Sequence, residues 1–302
     1  WELKKTESID VMDAIGSNIR VDTYDWEVKR VLPIINEDIN EEWISDKTRY
    51  ACDGLLSQRL DTPYIKYNKK FEKASWDEVY NIIKSKIKNT DKDKICGFVG
   101  DLTNMETSFI FKEFFERTLN TNNYESRSTQ SFIDTSVREN YLFNSTINGI
   151  EETDFILLIG ANPRFEATMV NARIRKAYLN NDTCIFSLND VGDTIKDIIE
   201  KNNEVSKKII DSKKPMMIFG ESFLNTKSAS YLFYSFKEFL IKNNKFNDEW
   251  NPLNILSTDA ATVGNFDLDI INEKKDLIDE LNNNKFEIVY LLGQDNLNFN
   301  KK

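Results

Sequence analysis

The sequence predicts an α/β fold in which a mostly parallel sheet follows a small β-rich N-terminal region. Three observations predict it. From about residue 94 onward, short apolar runs alternate with segments of helical periodicity. Several of those runs end in glycine (Gly100, Gly160, Gly220, Gly293), where the chain must turn sharply into the next loop. The first 33 residues instead carry short extended runs separated by turn signals.

Residues 8–15 read as extended and are followed by the turn signal Gly16-Ser17-Asn18. Residues 19–23 and 26–32 come next, separated by Tyr24-Asp25 and closed by Pro33, so two or three short antiparallel strands fit. Residues 36–42 carry Asn and acidic side chains ahead of Trp43, suggesting a loop and a short helix. Ser75-Trp76-Asp77-Glu78 opens a helix with a capping box, and Val79, Ile82, Ile83 and Ile87 follow at helical spacing. Residues 95–99 have buried-strand length and precede a helical pattern over about 104–119. Further strands are predicted at 155–159, 184–187, 215–219, 253–256 and 288–292, with helices at about 166–179 and 228–241. This alternation argues for βαβ units in a sheet covered on both faces. The chain therefore divides into a β-rich region over residues 1–66 and a Rossmann-like α/β domain over 67–302, with no fixed-period repeat. The Asn/Lys-rich stretches near 201–208 and 242–248 read as surface loops.

Composition excludes much chemistry. Among 302 residues, 40% are apolar and 12% aromatic, enough for a packed core. The net charge of −10, mixed along the chain, argues against a nucleic-acid surface. No run of 18 apolar residues offers a membrane span, and the N-terminus shows no signal-peptide pattern. With no His, a Ser-His-Asp triad, a His-paired Cys nucleophile and a His-ligated zinc are impossible within the chain. Cys52, Cys96 and Cys184 are dispersed, form no C-x-x-C, and are too few for a four-thiolate iron–sulfur cluster. They read as reduced, mostly buried thiols. The abundance of Asn, Lys and Ile reads as the coding bias of an AT-rich genome.

Three segments are candidates for function. Gly160-Ala161-Asn162-Pro163-Arg164 follows a buried strand and leads into a helix. Such a position suits a nucleotide or pyranopterin phosphate, or is an ordinary strand-to-helix junction. Neither G-x-G-x-x-G nor G-x-x-x-x-G-K-[ST] is present. Ala172-Arg173-Ile174-Arg175-Lys176 brings three positive charges toward the end of a helix, where they suit its dipole or meet an acidic partner. Residues 36–49, with Glu37, Asp38, Glu41, Glu42 and Asp46, are dense enough in carboxylates for a hard cation. Their spacing is not that of a calcium loop, and a structural loop is the competing reading.

Several segments together resemble a known family. These are Trp1-Glu2-Leu3-Lys4-Lys5-Thr6-Glu7-Ser8-Ile9-Asp10, Asp13-Ala14-Ile15-Gly16-Ser17-Asn18-Ile19-Arg20-Val21-Asp22, residues 36–49, Gln58-Arg59-Leu60, Gly160-Ala161-Asn162-Pro163-Arg164 and residues 171–176. They resemble the large iron–sulfur subunit of respiratory complex I. The likeness is dense over residues 1–65, recurs at about 155–178 and then thins to Leu291-Leu292-Gly293-Gln294-Asp295-Asn296. In that family an N-terminal ferredoxin-like region carries iron–sulfur clusters, and a second region resembles molybdopterin oxidoreductases. This chain is similar to the beginning of the second region, which implies a fragment or the product of a split gene.

The resemblance implies a non-catalytic domain of the peripheral arm, with no catalytic, cofactor-binding or metal-binding residue of its own. Catalytic relatives place a cluster-binding Cys in a Cys-x-Lys-Gly-Arg pattern, and here the equivalent is Ser45-Asp46-Lys47-Thr48-Arg49. Ser45 thus stands for a lost cluster ligand, and Gly160, Asn162, Pro163 and Arg164 for a vestigial cofactor loop. The implied partners are other peripheral-arm subunits, above all an iron–sulfur-bearing polypeptide packed against residues 1–66. No nucleic-acid partner and no direct membrane span are expected. The implied location is the matrix side of the mitochondrial inner membrane, or alternatively the cytoplasmic side of a bacterial plasma membrane. Two alternatives remain open at this stage: a molybdopterin-binding oxidoreductase fragment, and a nucleotide-binding accessory domain.

Overall fold

The computed structural model describes residues 1–129, 131–188, 192–200 and 203–297. Its strands are β1 (Lys4–Ile9), β2 (Asn18–Tyr24), β3 (Glu27–Pro33), β4 (Tyr64–Tyr67), β5 (Lys70–Lys73), β6 (Ile95–Val99), β7 (Tyr124–Glu125), β8 (Phe155–Ile159), β9 (Cys184–Leu188), β10 (Pro215–Phe219), β11 (Leu253–Ile255) and β12 (Ile288–Leu292). A small β-rich region precedes α/β elements, as the sequence predicts, but the parallel strands are shared between two sheets. Packing also divides the chain elsewhere than at residue 66. One compact unit joins residues 1–50 to 129–269, and the other joins 51–128 to 270–302. Periodicity identifies a strand but not its partner, and β6 pairs with β12 across nearly the whole α/β sequence.

In the first unit, β1, β2 and β3 form an antiparallel sheet in that order. The first strand ends at Ile9 instead of spanning 8–15, because two carboxylates fold the chain back on itself. Asp10 accepts from the Met12 amide at 2.9 Å and Asp13 from the Ile15 amide at 3.0 Å, closing Asx turns that compete with a ladder. The β2–β3 turn is Asp25-Trp26, one residue later than expected. Both residues have positive φ (49° and 67°), which a tight two-residue hairpin requires. Asp22 on β2 is buried between Arg20 and Arg30, whose hydrogen bonds hold its carboxyl below the usual range.

The parallel sheet of this unit runs β11-β10-β8-β9. Alternate residues of β8 enter opposite cores. Phe155, Leu157 and Ile159 meet Phe219, Phe233 and Phe236, the last two on helix Ala229–Lys242. Ile156 meets Val170 and Ile174 on helix Thr168–Asn181. Both faces being covered, these strands read as unbroken apolar runs. The expected loop at 201–208 is largely helix. Residues 201–202 lie outside the described residues, but Glu204–Asp211 is helical, with the Asn203 side chain capping the Ser206 amide at 2.9 Å. Its Ile209 is buried, so an Asn/Lys-rich composition hid an amphipathic turn pattern.

In the second unit, β4 and β5 form a hairpin turning at Asn68-Lys69, again with positive φ at both residues. The composition boundary at residue 66 falls inside this hairpin. Ser75 and Glu78 make the expected capping box of helix Trp76–Lys88. The parallel sheet here runs β12-β6-β7. One face of β6 packs Cys96 and Phe98 against Leu277. On the other, Gly97 lies under two rings: a Cβ there would stand 2.3 Å from the Phe115 ring and 2.6 Å from that of Phe111. Helix Met105–Glu113 and the π-helical turn Phe114–Leu119 can approach the sheet this closely only over a glycine. Gly97→Ala is expected to cost about 1–3 kcal/mol in guanidinium unfolding. Adding Phe115→Leu should recover part of it, and two additive losses would contradict this account.

Candidate functional site

In an open parallel sheet, ligands bind beyond the carboxyl ends of the strands, where the strand order reverses. In the first unit that point lies between β8 and β10, because β9 pairs on the far side of β8. The sequence-selected loop Gly160-Ala161-Asn162-Pro163-Arg164 sits there, facing the loop that follows β10. Gly160 adopts φ 57°, which favours glycine. A Cβ on Gly220 would stand 2.5 Å from the Gly160 carbonyl oxygen, and one on Gly160 2.5 Å from the Phe223 nitrogen. The two loops therefore touch backbone to backbone, leaving little room for a ligand between them.

The helix after Gly160 is short, Pro163–Glu166, and is followed by Thr168–Asn181. Pro163 is buried at its first turn, while Asn162 and Arg164 are exposed. The Asn162 side chain makes no cap. Its backbone N–H donates to the Glu166 carboxylate at 3.0 Å. An internal carboxylate thus takes the amide that an anion would use. Burial pushes the Glu166 carboxyl up; the Asn162 amide partly offsets this, and neighbouring Glu221 adds to it. Glu221 itself accepts from the Thr258 hydroxyl at 3.3 Å. Arg164 lies over the Phe165 ring, 5.8 Å from its centroid. A pair of carboxylates beside a filled crevice repels phosphate. The residues present do not fit a nucleotide or a pterin phosphate.

Ser45 is buried and caps helix Asp46–Tyr50. Its hydroxyl lies 2.8 Å from the Thr48 hydroxyl and accepts from the Thr48 amide at 3.1 Å. The Thr48 hydroxyl in turn donates to Asp10. Asp13 and Ser17 are buried in the same N-terminal region. Burial, countered by the Ile15 amide and reinforced by Asp10, leaves the Asp13 carboxyl raised. The Ser17 hydroxyl has no hydrogen-bond partner among the described residues. These are oxygen donors, several committed to one another, whereas an iron–sulfur cluster needs thiolates. The donor set does not fit a cluster. Buried polar residues recurring in an otherwise extended segment were the signal for this group, and it went unread beyond Ser45.

The other two candidate segments meet each other. Arg173, only 6% exposed, donates to the Ile39 carbonyl at 3.2 Å, to the Glu37 carbonyl and to Glu151, and pairs with Glu41 at 3.1 Å. Lys176 pairs with Glu41 and, at 2.9 Å, with Glu151. Burial would raise the Glu151 carboxyl, but the hydrogen bonds from Lys176 and Arg173 outweigh it and hold it low. The acidic partner of the basic run is therefore the chain's own acidic loop, and the run lies mid-helix, not at a helix end. Arg175 is exposed. Asn40 was not singled out from sequence, yet its amide donates to the Ile34, Glu41 and Trp43 carbonyls and its oxygen accepts from the Asn18 amide at 2.9 Å.

Of the three cysteines only Cys96 is buried, which corrects the expectation of mostly buried thiols. Burial pushes its thiol up to about 12, so it is inert at neutral pH. Cys184 is half-buried and lies 3.3 Å from the Lys208 ammonium. Among the described residues, no group of three or more Cys, Asp or Glu side chains is arranged to hold a metal ion.

Arg173→Met is expected to cost about 3 kcal/mol in denaturant unfolding, because it leaves the Glu37 and Ile39 carbonyls without their donor and the half-buried Glu41 and Glu151 with Lys176 alone. Arg175→Met should stay within about 0.5 kcal/mol, and equal losses would deny the network its role. Glu166→Gln tests the sheet edge by pH. A carboxyl raised in the native state contributes stability that is present below its unfolded pKa and lost as pH rises through the native value. The variant should therefore gain stability relative to the parent between about pH 4 and 7; parallel pH profiles would count against a strained carboxylate.

A family model described as "Molybdopterin oxidoreductase" matches residues 59–302. A second, "NADH-ubiquinone oxidoreductase NDSU1/NuoG-like, 4Fe-4S domain", matches residues 3–53, the segment that holds Asp10, Asp13, Ser17 and Ser45. The chain is 41% identical to the NADH-ubiquinone oxidoreductase 78 kDa subunit, mitochondrial, of Candida albicans, over 98% of its own length and 42% of that protein. It is 39% identical to an NADH-quinone oxidoreductase subunit of Rickettsia bellii, over 100% of its own length and 45% of that protein. The NADH-ubiquinone oxidoreductase 75 kDa subunit of Reclinomonas americana is 37% identical, over 98% of the chain and 47% of that protein. The chain thus spans less than half the length of these relatives. It belongs to the molybdopterin oxidoreductase family and is homologous to the large subunit of NADH:quinone oxidoreductase.

Proposed function

We propose that this chain is a non-catalytic structural domain of the peripheral arm of respiratory complex I, the assembly that passes electrons from NADH to ubiquinone, and that it carries no cofactor of its own. The observation that carries the reading is the sheet edge between β8 and β10. There the two loops fill the crevice with backbone, and Glu166 takes the amide an anionic ligand would use. The Ser45–Thr48 pair supports the same reading, since a hydrogen-bonded hydroxyl stands where the resemblance expects a thiolate. Metal analysis of the intact assembly, purified through a tag on this chain and followed by limited proteolysis to release it, tests the reading. No molybdenum, tungsten or iron should travel with the chain. Stoichiometric molybdenum or tungsten on it would favour the competing molybdopterin-binding reading, and a nucleotide released by acid the accessory-domain reading.

The partner in this proposal is an iron–sulfur-bearing polypeptide packed against the N-terminal region, across an interface on the order of 2,000 Å². Ile9 and Val11 are half or more exposed, and Trp26 is 98% exposed at a left-handed φ of 67°. A bulky residue at that φ is strained and gains nothing from its own fold. An aromatic anchor held out on a hairpin tip is what a partner pocket would use. The location would be the matrix side of the mitochondrial inner membrane, or the cytoplasmic side of a bacterial plasma membrane; both kinds of organism occur among the relatives. Trp26→Gly is expected to raise the chain's own stability by about 1 kcal/mol, the relief of a left-handed side chain exceeding the backbone entropy that glycine loses on folding. The same change should reduce recovery of the iron–sulfur polypeptide at least tenfold. Undiminished recovery would remove Trp26 from the interface.

A further inference from the structure

The three cysteines stand in three different settings. Cys96 is buried and inert. Cys52 is half-buried and has an anionic neighbour, the Asp53 carboxylate, 4.0 Å from its sulfur. Cys184 is half-buried beside a cation instead, with Lys208 Nζ 3.3 Å from its Sγ. Thiols that react sit in partly exposed, electropositive surroundings, because the thiolate is the nucleophile.

Both atoms of this contact are held by ordered elements. Cys184 opens β9, opposite Phe155 in the ladder to β8, and its amide donates to the Asp154 carbonyl at 3.2 Å. Lys208 lies on helix Glu204–Asp211, which is capped by Asn203 and seated by the fully buried Ile209. The ammonium lies 5.1 Å from the Phe186 ring centroid and 3.3 Å from Glu204, one turn back on its own helix. Ring, carboxylate and sulfur together confine the amine. The hydrogen bond to the Cys184 sulfur, and after it that to Glu204, raises the Lys208 amine above the ordinary lysine range. In the resting pair Lys208 therefore carries a proton to give.

We propose that Cys184 and Lys208 form a redox-dependent cross-link, in which a peroxide joins Sγ to Nζ across their 3.3 Å contact. The sulfur, as thiolate, attacks one peroxide oxygen. The S–O bond forms, the O–O bond breaks, and the Lys208 ammonium protonates the other oxygen, which leaves as water. Cys184 is then a sulfenic acid beside a neutral amine. The Nζ lone pair attacks sulfur, the S–N bond forms and the S–O bond breaks; the proton shed by nitrogen goes to the departing oxygen, giving a second water. The sulfur has lost two electrons and the peroxide has gained them. Sulfenic acids condense with nitrogen in this way. The product staples the start of β9 to helix Glu204–Asp211. β9 ends its sheet's strand order, with β8 as its only strand partner among the described residues, so the staple fastens an edge. The proposal is independent of the loss of cofactors, and metal found on the chain would leave it standing.

Hydrogen peroxide treatment of the intact assembly, purified through a tag on this chain, followed by peptide mass spectrometry, tests it. Peptides carrying residues 184 and 208 should become one linked species, lighter by two hydrogens than their sum, and excess thiol should restore both. Lys208→Arg keeps the positive charge but removes the attacking amine. It should abolish the link and leave Cys184 to oxidise onward to the sulfinic acid, which thiol does not reverse. Lys208→Met, which also removes the charge, should slow peroxide consumption of the Cys184 thiol at least tenfold. Sulfinic acid at Cys184 in the parent to the same extent as in Lys208→Arg would overturn the proposal. So would oxidation of Cys52 ahead of Cys184, an unchanged rate in Lys208→Met, or a linked species heavier by an oxygen.

Discussion

Arg173 is a cation that the fold has taken almost wholly out of water, and three segments of the first unit are arranged to make that tolerable. A buried guanidinium is stable only when its donors are matched, and the Glu37 and Ile39 carbonyls with the Glu41 and Glu151 carboxylates match them. Meeting that demand brings three remote segments together: the loop after β3, the lead-in to β8, and the middle of helix Thr168–Asn181. Asn40 then holds the same loop from inside, by tying it to the start of β2 and to its own carbonyls. The N-terminal sheet is thereby fixed to the α/β layer by polar chemistry, with limited apolar burial in its own strands.

The helix so anchored begins just beyond the sheet edge, where the constraint becomes steric. Gly160 and Gly220 permit the contact between the loops after β8 and β10, and any side chain at either would force them apart. A contact of that kind suits a closed junction. The acidic pair Glu166 and Glu221 would otherwise be an expensive neighbour for a phosphate, and here it sits beside a crevice already filled by backbone.

The order and type of most elements were legible because the forces behind them are local: the capping box at Ser75, the apolar runs of β6, β8 and β10, and the helical spacing of Ala229–Lys242. What could not be read depends on remote partners. Nothing near residue 95 announces that its strand joins 288–292 and not 155–159. The end of β1 was missed because Asp10 and Asp13 look like solvent-facing strand residues until their turns are closed. At the site, the loop beginning at Gly160 was found by its position after a strand. That Glu166 would satisfy it was not visible, since a glutamate four residues on is unremarkable in any helix. The basic run and the acidic loop were each noticed, and only the tertiary fold shows that they neutralise one another.

Two places where the resemblance expects a prosthetic group share one physical pattern. At Ser45 a hydroxyl pairs with Thr48, so the residues standing for the thiolate and for the glycine of the related pattern satisfy each other and reach Asp10. At the sheet edge an internal carboxylate takes the exposed amide. A fold that holds a ligand draws stability from it, and a fold without one must satisfy the same buried donors and acceptors internally. Removing a ligand residue alone would leave a buried polar gap. Replacing it together with a neighbour that completes the hydrogen bond leaves a stable domain. On the proposed reading, that pairing is why the architecture of a cofactor-binding family can persist as a scaffold: the contacts once made to a ligand are made within the chain.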